Sequence, residues 1–357
     1  MTSPVDWDLA SRVAVRWAGS EPFSESYHYD RIERDFAQYT AQAEALVSET
    51  TGLYPDSGPA RAEVISRAEW VDVNLRSFQR LLRPLTERLG EQMDASFMAP
   101  VARRIAGFEL GVVLGWMSQR VLGQYDLLVV DDADDDDGDV VYYVGPNVLA
   151  LEKRWGFPPS EFRLWLALHE LTHRAQFTGV PWMREHFLSM VHELMEDVEP
   201  DPERFAAALR RLVDDRRSGE SSLGEGGLSA LFATEEQRAT MDRIAGMMSL
   251  LEGHGDVTMT RAGGDRVPSA DRFHRVLHDR RKQTNRRSKL LHKLIGLEAK
   301  LAQYEQGERF IEAVEAVGGE RAIDRAWVGP DALPTIGEIR DPDQWIDRMG
   351  LLERAAS

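Results

Sequence analysis

The sequence predicts a mainly α-helical fold with a small β-hairpin or sheet next to one central helix. Most segments repeat their apolar residues at the 3.6-residue period of a helix that buries one face. One short region instead contains two runs of β-branched and aromatic residues, at 125–130 and 140–144. With 357 residues, 43% of them hydrophobic, the chain is long enough to bury a large core.

Charge and composition narrow the class of partner. A formal net charge of −17 argues against nucleic acid or an anionic membrane as the principal partner, because both surfaces would repel the chain overall. The absence of Cys excludes disulfides and thiolate ligands, so His and carboxylates are the strong zinc ligands that remain. The N-terminus lacks a basic segment followed by an apolar one, so we predict no secretory signal and a cytoplasmic location.

The N-terminal third reads as helical. Amphipathic or apolar patterns predict helices at 5–19, 27–48 and 60–89, the last of them bent near Pro84. The most apolar run follows at 100–122, where glycines recur every four residues on one helix face, at Gly107, Gly111 and Gly115. A membrane span is the alternative, but flanking charges leave too short an uncharged run, so a buried, closely packed soluble helix is favoured.

The two β-type runs predict a β-hairpin around an acidic loop at 131–139. A calcium loop is the alternative, but aligning Gly138 with its obligatory glycine puts Ala133 at the first ligand position and Val144 where a bidentate Glu belongs. We therefore favour a solvated loop. A strand edge at this place in the chain could pair with an extended peptide.

The central helix carries the pattern H-E-x-x-H at His169, Glu170 and His173. Two His residues four apart project from one helix face, so both imidazoles can reach one metal ion. Glu170 lies beside that face, where it can act as the general base for a metal-bound water. Pro159 and Ser160 predict the helix start, with Ser160 as the N-cap. The alternative is an ordinary half-buried helix in which the two His residues touch.

A catalytic zinc ion needs a third protein ligand and an open position for water. The extended pattern H-E-x-x-H-x-x-G-x-x-H is excluded, because Gln176 stands at its glycine and Gly179 at its third His. The better candidate is Glu252, on a helix predicted at 234–259.

Two neighbours of Glu252 have candidate roles. Asp256, one turn further on, could accept the ring N–H of a ligand His and set its tautomer. His254 is the alternative third ligand, but on a regular helix it points roughly 200° away from Glu252. Glycines on both sides of His254 weaken this helix, so a distortion could still turn it toward the metal.

The other histidines have weaker claims. His274 and His278 lie in a basic segment at 272–289 and could donate to a developing oxyanion, although a solvated basic helix is favoured. Surface or packing roles are predicted for His186 and His192.

The chain resembles a bacterial family of zincin-like metallopeptidases, sometimes catalogued beside deazaflavin-coenzyme biosynthesis. The resemblance is carried by residues 107–126, 168–177 and 249–259. It implies that most of the chain belongs to one mainly helical, zincin-like unit. We predict that this unit spans residues 1–357, with an N-terminal helical part at 1–124, a metal-site core at 125–270 and a C-terminal helical part at 271–357. The resemblance also implies zinc held by His169, His173 and Glu252, and it implies no particular substrate.

These observations predict a zinc-dependent hydrolase, with a metallopeptidase as the first hypothesis and Glu170 as its general base. The alternative is a catalytically inactive zincin-like scaffold that acts as a binding or assembly protein. A third hypothesis is a hydrolase of a small amide, which a narrow pocket would favour over a groove.

Overall fold

The computed structural model of the protein describes residues 3–23, 26–83, 86, 99–127, 139–196, 234–282 and 297–352. The fold is mainly helical with one small three-stranded sheet, which confirms the predicted fold class. The described helices are α1 (Trp7–Ala18), α2 (Tyr27–Thr51), α3 (Arg67–Leu81), α4 (Ala99–Ser118), α5 (Gly145–Trp155), α6 (Pro159–Thr178), α7 (Met183–Glu196), α8 (Glu235–Gly263), α9 (Ala270–Lys282), α10 (Leu297–Gly318), α11 (Ile336–Arg340) and α12 (Pro342–Arg348). The strands are β1 (Arg61–Ile65), β2 (Gly123–Tyr125) and β3 (Val140–Val144).

The sheet has the strand order β1-β3-β2, with β1 parallel and β2 antiparallel to the central strand β3. The expected antiparallel pair is present as β2 and β3, but its first strand lies earlier than expected, because β2 includes only Tyr125 of the predicted run 125–130. The prediction of a helix from residue 60 is wrong at its start, because residues 61–65 form β1 and the helix α3 begins at Arg67. Ser66 separates the two elements, since its side chain accepts from the backbone N–H of Glu69 and the Glu69 carboxylate accepts from the Ser66 N–H. This reciprocal cap begins α3 only after the strand has ended.

Each face of the sheet is covered by different helices. Alternate residues of β3, Val140, Tyr142 and Val144, pack in one apolar cluster with side chains of α1, α3 and α4. Tyr143 points to the opposite face, where its ring stacks on Phe36 of α2 at 3.8 Å. α2 also packs along α6. The helix that carries the H-E-x-x-H pattern therefore belongs to the Tyr143 side of the sheet.

The predicted close packing of α4 is confirmed, but its predicted burial is wrong for one face, because Val101, Ile105 and Phe108 are exposed. A Cβ at Gly107, Gly111 or Gly115 would lie 2.4–2.6 Å from a backbone carbonyl oxygen in or just before α1. The glycine face thus lets the backbones of the two helices meet. Among the described residues, the structure contains no helix long and apolar enough to cross a membrane.

The chain forms two compact units. One consists of Met1–Gly179 and Thr258–Asp279, the other of Val180–Val257 and Arg280–Ser357. The core of the second unit is built from α8, α10 and the C-terminal helices, including the fully buried Phe310 and Trp345. The three parts expected from the sequence stay a prediction.

Several sequence-based expectations fall outside the described residues. They concern the bend expected near Pro84, the end of the first hairpin strand and most of the acidic loop (128–138), and the basic residues after 282.

Candidate metal centre

The helix that carries the H-E-x-x-H pattern, α6, begins at Pro159, and Ser160 is not its N-cap. Pro158 occupies the N-cap position without a side-chain hydrogen bond. Pro159, at the first helical position, costs the helix no hydrogen bond, because an N–H there would have no partner inside the helix. Glu161 lies in the first turn as expected, and its carboxylate accepts from the backbone N–H of Ser269, just before α9.

Two buried arginines fix α6 in place. Arg163 donates two hydrogen bonds of 2.7 Å to the carboxylate of Glu152 on α5. Arg174, which follows the second His, is fully buried and donates to Asp139 at 2.8 Å and to Glu44 at 2.6 Å. Charge-assisted bonds of this kind are short and directional, so they hold the helix against rotation about its axis.

The two predicted His ligands lie together on the half-buried face of α6. The rings of His169 and His173 are 4.6 Å apart and nearly perpendicular. Nδ1 of His173 is 2.9 Å from Oε1 of the buried Gln176. With its proton on Nδ1, His173 donates to this oxygen and keeps the Nε2 lone pair for a metal. A role for Gln176 was not predicted from the sequence, although a polar residue three positions after a ligand His lies on the same helix face.

Glu252 of α8 completes a group of possible metal ligands. Ligand atoms of His169, His173 and Glu252 all lie within 4.8 Å of one another. Among the described residues, these three form the group of His, Asp and Glu side chains that is close enough together to hold a metal ion. Two imidazoles and one carboxylate are a donor set used by catalytic zinc sites. The three side chains could therefore hold a zinc ion.

The rival ligand His254 is buried, and its ring lies edge-on to that of Trp327 at 5.1 Å. The helix around it is continuous. Gly253 serves close packing, because a Cβ there would lie 2.3 Å from the backbone of Gly307 on α10. Asp256 is half-buried on the turn that follows Glu252, and its contact with a ligand His stays a prediction.

Glu170 lies against the sheet. Its side chain is buried, and it approaches Gly123 of β2 so closely that a Cβ there would lie 2.6 Å from Oε1. Gly123 is the cross-strand partner of Tyr143. The Tyr143 hydroxyl and the Thr40 hydroxyl are hydrogen-bonded at 2.8 Å. Burial raises the pKa of Tyr143, the bond to Thr40 opposes the rise and the negative charge of Glu170 adds to it, so the phenol stays neutral.

The other histidines that the sequence singled out lie on α7 and α9. His274 is exposed and His278 half-buried on α9, with their rings 6.2 Å apart. His186 packs against Trp182 at 5.9 Å, and burial lowers its pKa. His192 is exposed. An oxyanion role for His274 or His278 stays a prediction.

Comparison with known proteins identifies the family of the chain. The sequence pattern of the zincin-like metallopeptidase family matches residues 5–346. The chain is also similar to a crystal structure from Chloroflexus aurantiacus, described as that of a provisionally assigned hydrolase with a novel fold. The TM-score is 0.71 at 30% sequence identity, over 97% of this chain and 99% of that chain. No curated protein matches. Because the match spans nearly its whole length, the chain belongs to the family of zincin-like metallopeptidases.

Proposed function

We propose that the protein is a zinc-dependent metallopeptidase. The observation that carries the proposal is the group of His169, His173 and Glu252, whose ligand atoms lie within 4.8 Å of one another. Glu170 lies on the same helix as the two His residues, and its side chain is buried. A zinc ion bound there would polarise the scissile carbonyl and lower the pKa of its water. Family membership and the similarity to a provisionally assigned hydrolase support the same reaction class.

The residues of the chain have separate roles in this proposal. His169, His173 and Glu252 hold the ion, and Gln176 orients the ring of His173 through Nδ1. The Glu170 carboxylate accepts a proton from the attacking water and passes it to the leaving nitrogen. The buried ion pairs of Arg163 and Arg174 fix the orientation of α6, and with it the directions of His169, Glu170 and His173. Side chains that are already oriented lose less entropy on reaching the reactive geometry.

A peptide is the substrate that the neighbouring sheet favours. β2 pairs with β3 on one side, and no other described strand pairs with it. Gly123 of this edge strand touches the Glu170 side chain. An extended peptide that pairs with β2 would therefore run beside the proposed base, whereas a small amide would gain nothing from such an edge.

The first test is the metal content of the purified protein, measured by elemental analysis beside His169→Ala and Glu170→Gln. We expect about one zinc ion per chain in the wild type and in Glu170→Gln, and its loss from His169→Ala while the helical circular dichroism signal is retained. Wild-type protein that binds no zinc after zinc is supplied would contradict the proposal and favour the inactive scaffold.

The second test is hydrolysis. Zinc-loaded wild-type protein is incubated with unfolded casein and with a mixed-sequence peptide library, and the products are identified by mass spectrometry. We expect cleavage by the wild type and none by Glu170→Gln, because the amide cannot accept the proton. Equal cleavage by both proteins would remove Glu170 from the mechanism. Zinc binding without cleavage of any peptide would leave the small-amide hydrolase or the scaffold.

A further inference from the structure

The contact between Gly123 and Glu170 joins two distant parts of the chain at the proposed catalytic base. A Cβ at Gly123 would lie 2.6 Å from Oε1, 2.8 Å from Cδ and 2.8 Å from Cγ of Glu170. All three distances are shorter than a normal contact between heavy atoms. The Glu170 side chain therefore occupies the volume that any larger residue at 123 would need.

The backbone conformation at 123 does not itself require glycine. Gly123 lies in an extended strand and is not among the glycines with positive φ. Any L-residue could adopt its backbone angles, and glycine in a strand is less favourable than a residue with a side chain. Space for Glu170 is thus the feature that separates glycine from alanine at this position.

The residue opposite Gly123 in the sheet, Tyr143, is held in place by its own contacts. Gly123 pairs with Tyr143, and paired residues of neighbouring strands present their side chains on the same face. The Tyr143 ring is fully buried and stacked on Phe36, and its hydroxyl is hydrogen-bonded to that of Thr40. These contacts hold the Tyr143 side chain in place. A methyl group at 123 would have to displace the Glu170 side chain.

We propose that Gly123 is a positioning residue for the Glu170 carboxylate, holding it at a fixed place on the sheet by leaving a slot in the edge strand. The inference rests on the proposed role of Glu170 as general base and adds a determinant of that role from β2. A base must lie within hydrogen-bond reach of the proton that it removes, so a displacement of about 1 Å is enough to impair it.

A double-mutant cycle in chemical denaturation tests the contact without any substrate. We expect Gly123→Ala to lower the folding equilibrium constant roughly tenfold in the wild type, as overpacked sites do. The same loss is expected in the Glu170→Gln background, because the amide keeps the shape of the carboxylate. In the Glu170→Ala background the loss should vanish or become a small gain, since alanine restricts the unfolded chain more than glycine does. An equal loss in all three backgrounds would overturn the inference.

Gly263→Ala is the matched control. A Cβ at Gly263 would meet Leu168 of α6 at an ordinary 3.5 Å. This variant also adds a methyl group beside α6, and we expect no loss of stability in any background.

A spectroscopic measurement tests the position of the carboxylate itself. Cobalt(II) is supplied in place of zinc, and the visible absorption of the bound ion reports changes in its surroundings. We expect Gly123→Ala to bind cobalt with unchanged stoichiometry and to alter the spectrum, as Glu170→Gln does, while Gly263→Ala leaves it unchanged. A wild-type spectrum in Gly123→Ala would overturn the inference. If the wild type binds no cobalt, the proposed function fails separately, and the mutant cycle decides the role of Gly123.

Discussion

The buried ion pairs of Arg174 permit a quantitative test of what holds α6 in place. Its guanidinium is fully buried and donates to Asp139, whose side chain is 9% exposed, to Glu44, which is 23% exposed, and to the carbonyl oxygen of Gly58. Arg174→Met keeps a side chain of similar length and removes the charge. The carboxylate of Asp139 is then left buried without its cation.

The expected cost follows from this burial. Removing one partner of a buried ion pair costs about 3–5 kcal/mol, since the remaining charge is not rehydrated. Exposed pairs contribute about 0.2–1 kcal/mol, so Arg243→Met, which breaks a pair whose side chains are 47% and 48% exposed, is the control. Because domains are stable by only about 5–15 kcal/mol, the Arg174 variant loses a large fraction of its stability.

The assay is urea denaturation at pH 7 of the wild type, Arg174→Met and Arg243→Met, with unfolding monitored by circular dichroism. Linear extrapolation to zero urea gives the free energy of unfolding in water. The slope of free energy against urea concentration shows whether the surface exposed on unfolding has changed. Arg174→Met/Asp139→Asn should recover part of the loss, because the unpaired charge is gone. A loss below about 1 kcal/mol for Arg174→Met, equal to that of the exposed pair, would refute the reasoning from burial.

Three further predictions concern α8, its packing and the C-terminal helices. Glu252→Ala should weaken zinc binding, measured by competition with a chelator, more than His254→Ala does, and the reverse order would move the third ligand. Gly307→Ala should lower the free energy of unfolding by about 1–3 kcal/mol in urea, because its Cβ would overlap a backbone carbonyl oxygen of α8. Burial raises the pKa of Glu338, but its bonds to Arg348 and to the α11 N-terminus together outweigh burial and lower the pKa below its ordinary value. This carboxylate stabilises the fold above its usual pKa of 4.5 and loses that effect as the pH falls through its lowered value, so Glu338→Gln should flatten the loss of stability in acid.

Local periodicity accounts for what could be predicted of the fold. The 3.6-residue repeat indicated the helices, and the β-branched residues indicated the strand at 140–144. β1 was missed because its five residues adjoin a helical pattern, and its partner β3 lies about 80 residues later. A strand is stabilised by neighbours that are distant in the chain, so a short one leaves little local signal. The capping pair of Ser66 and Glu69 was the available clue.

The sequence by itself determined the side chains that α6 presents on one face. His169 and His173 share that face because four residues make about one helical turn, which is a local property of the backbone. It also identified Glu252 and His254 as the candidates for the third ligand and favoured Glu252, because the two side chains point in different directions on a regular helix.

Only the tertiary structure decided which distant groups meet this face. It brings a carboxylate oxygen of Glu252 near both imidazoles, and it sets the Glu170 side chain against Gly123 of the edge strand. Neither contact has a periodicity that a sequence pattern could reveal, because each depends on how separate elements pack. A glycine that leaves room for another side chain resembles any other strand glycine until its neighbour is known.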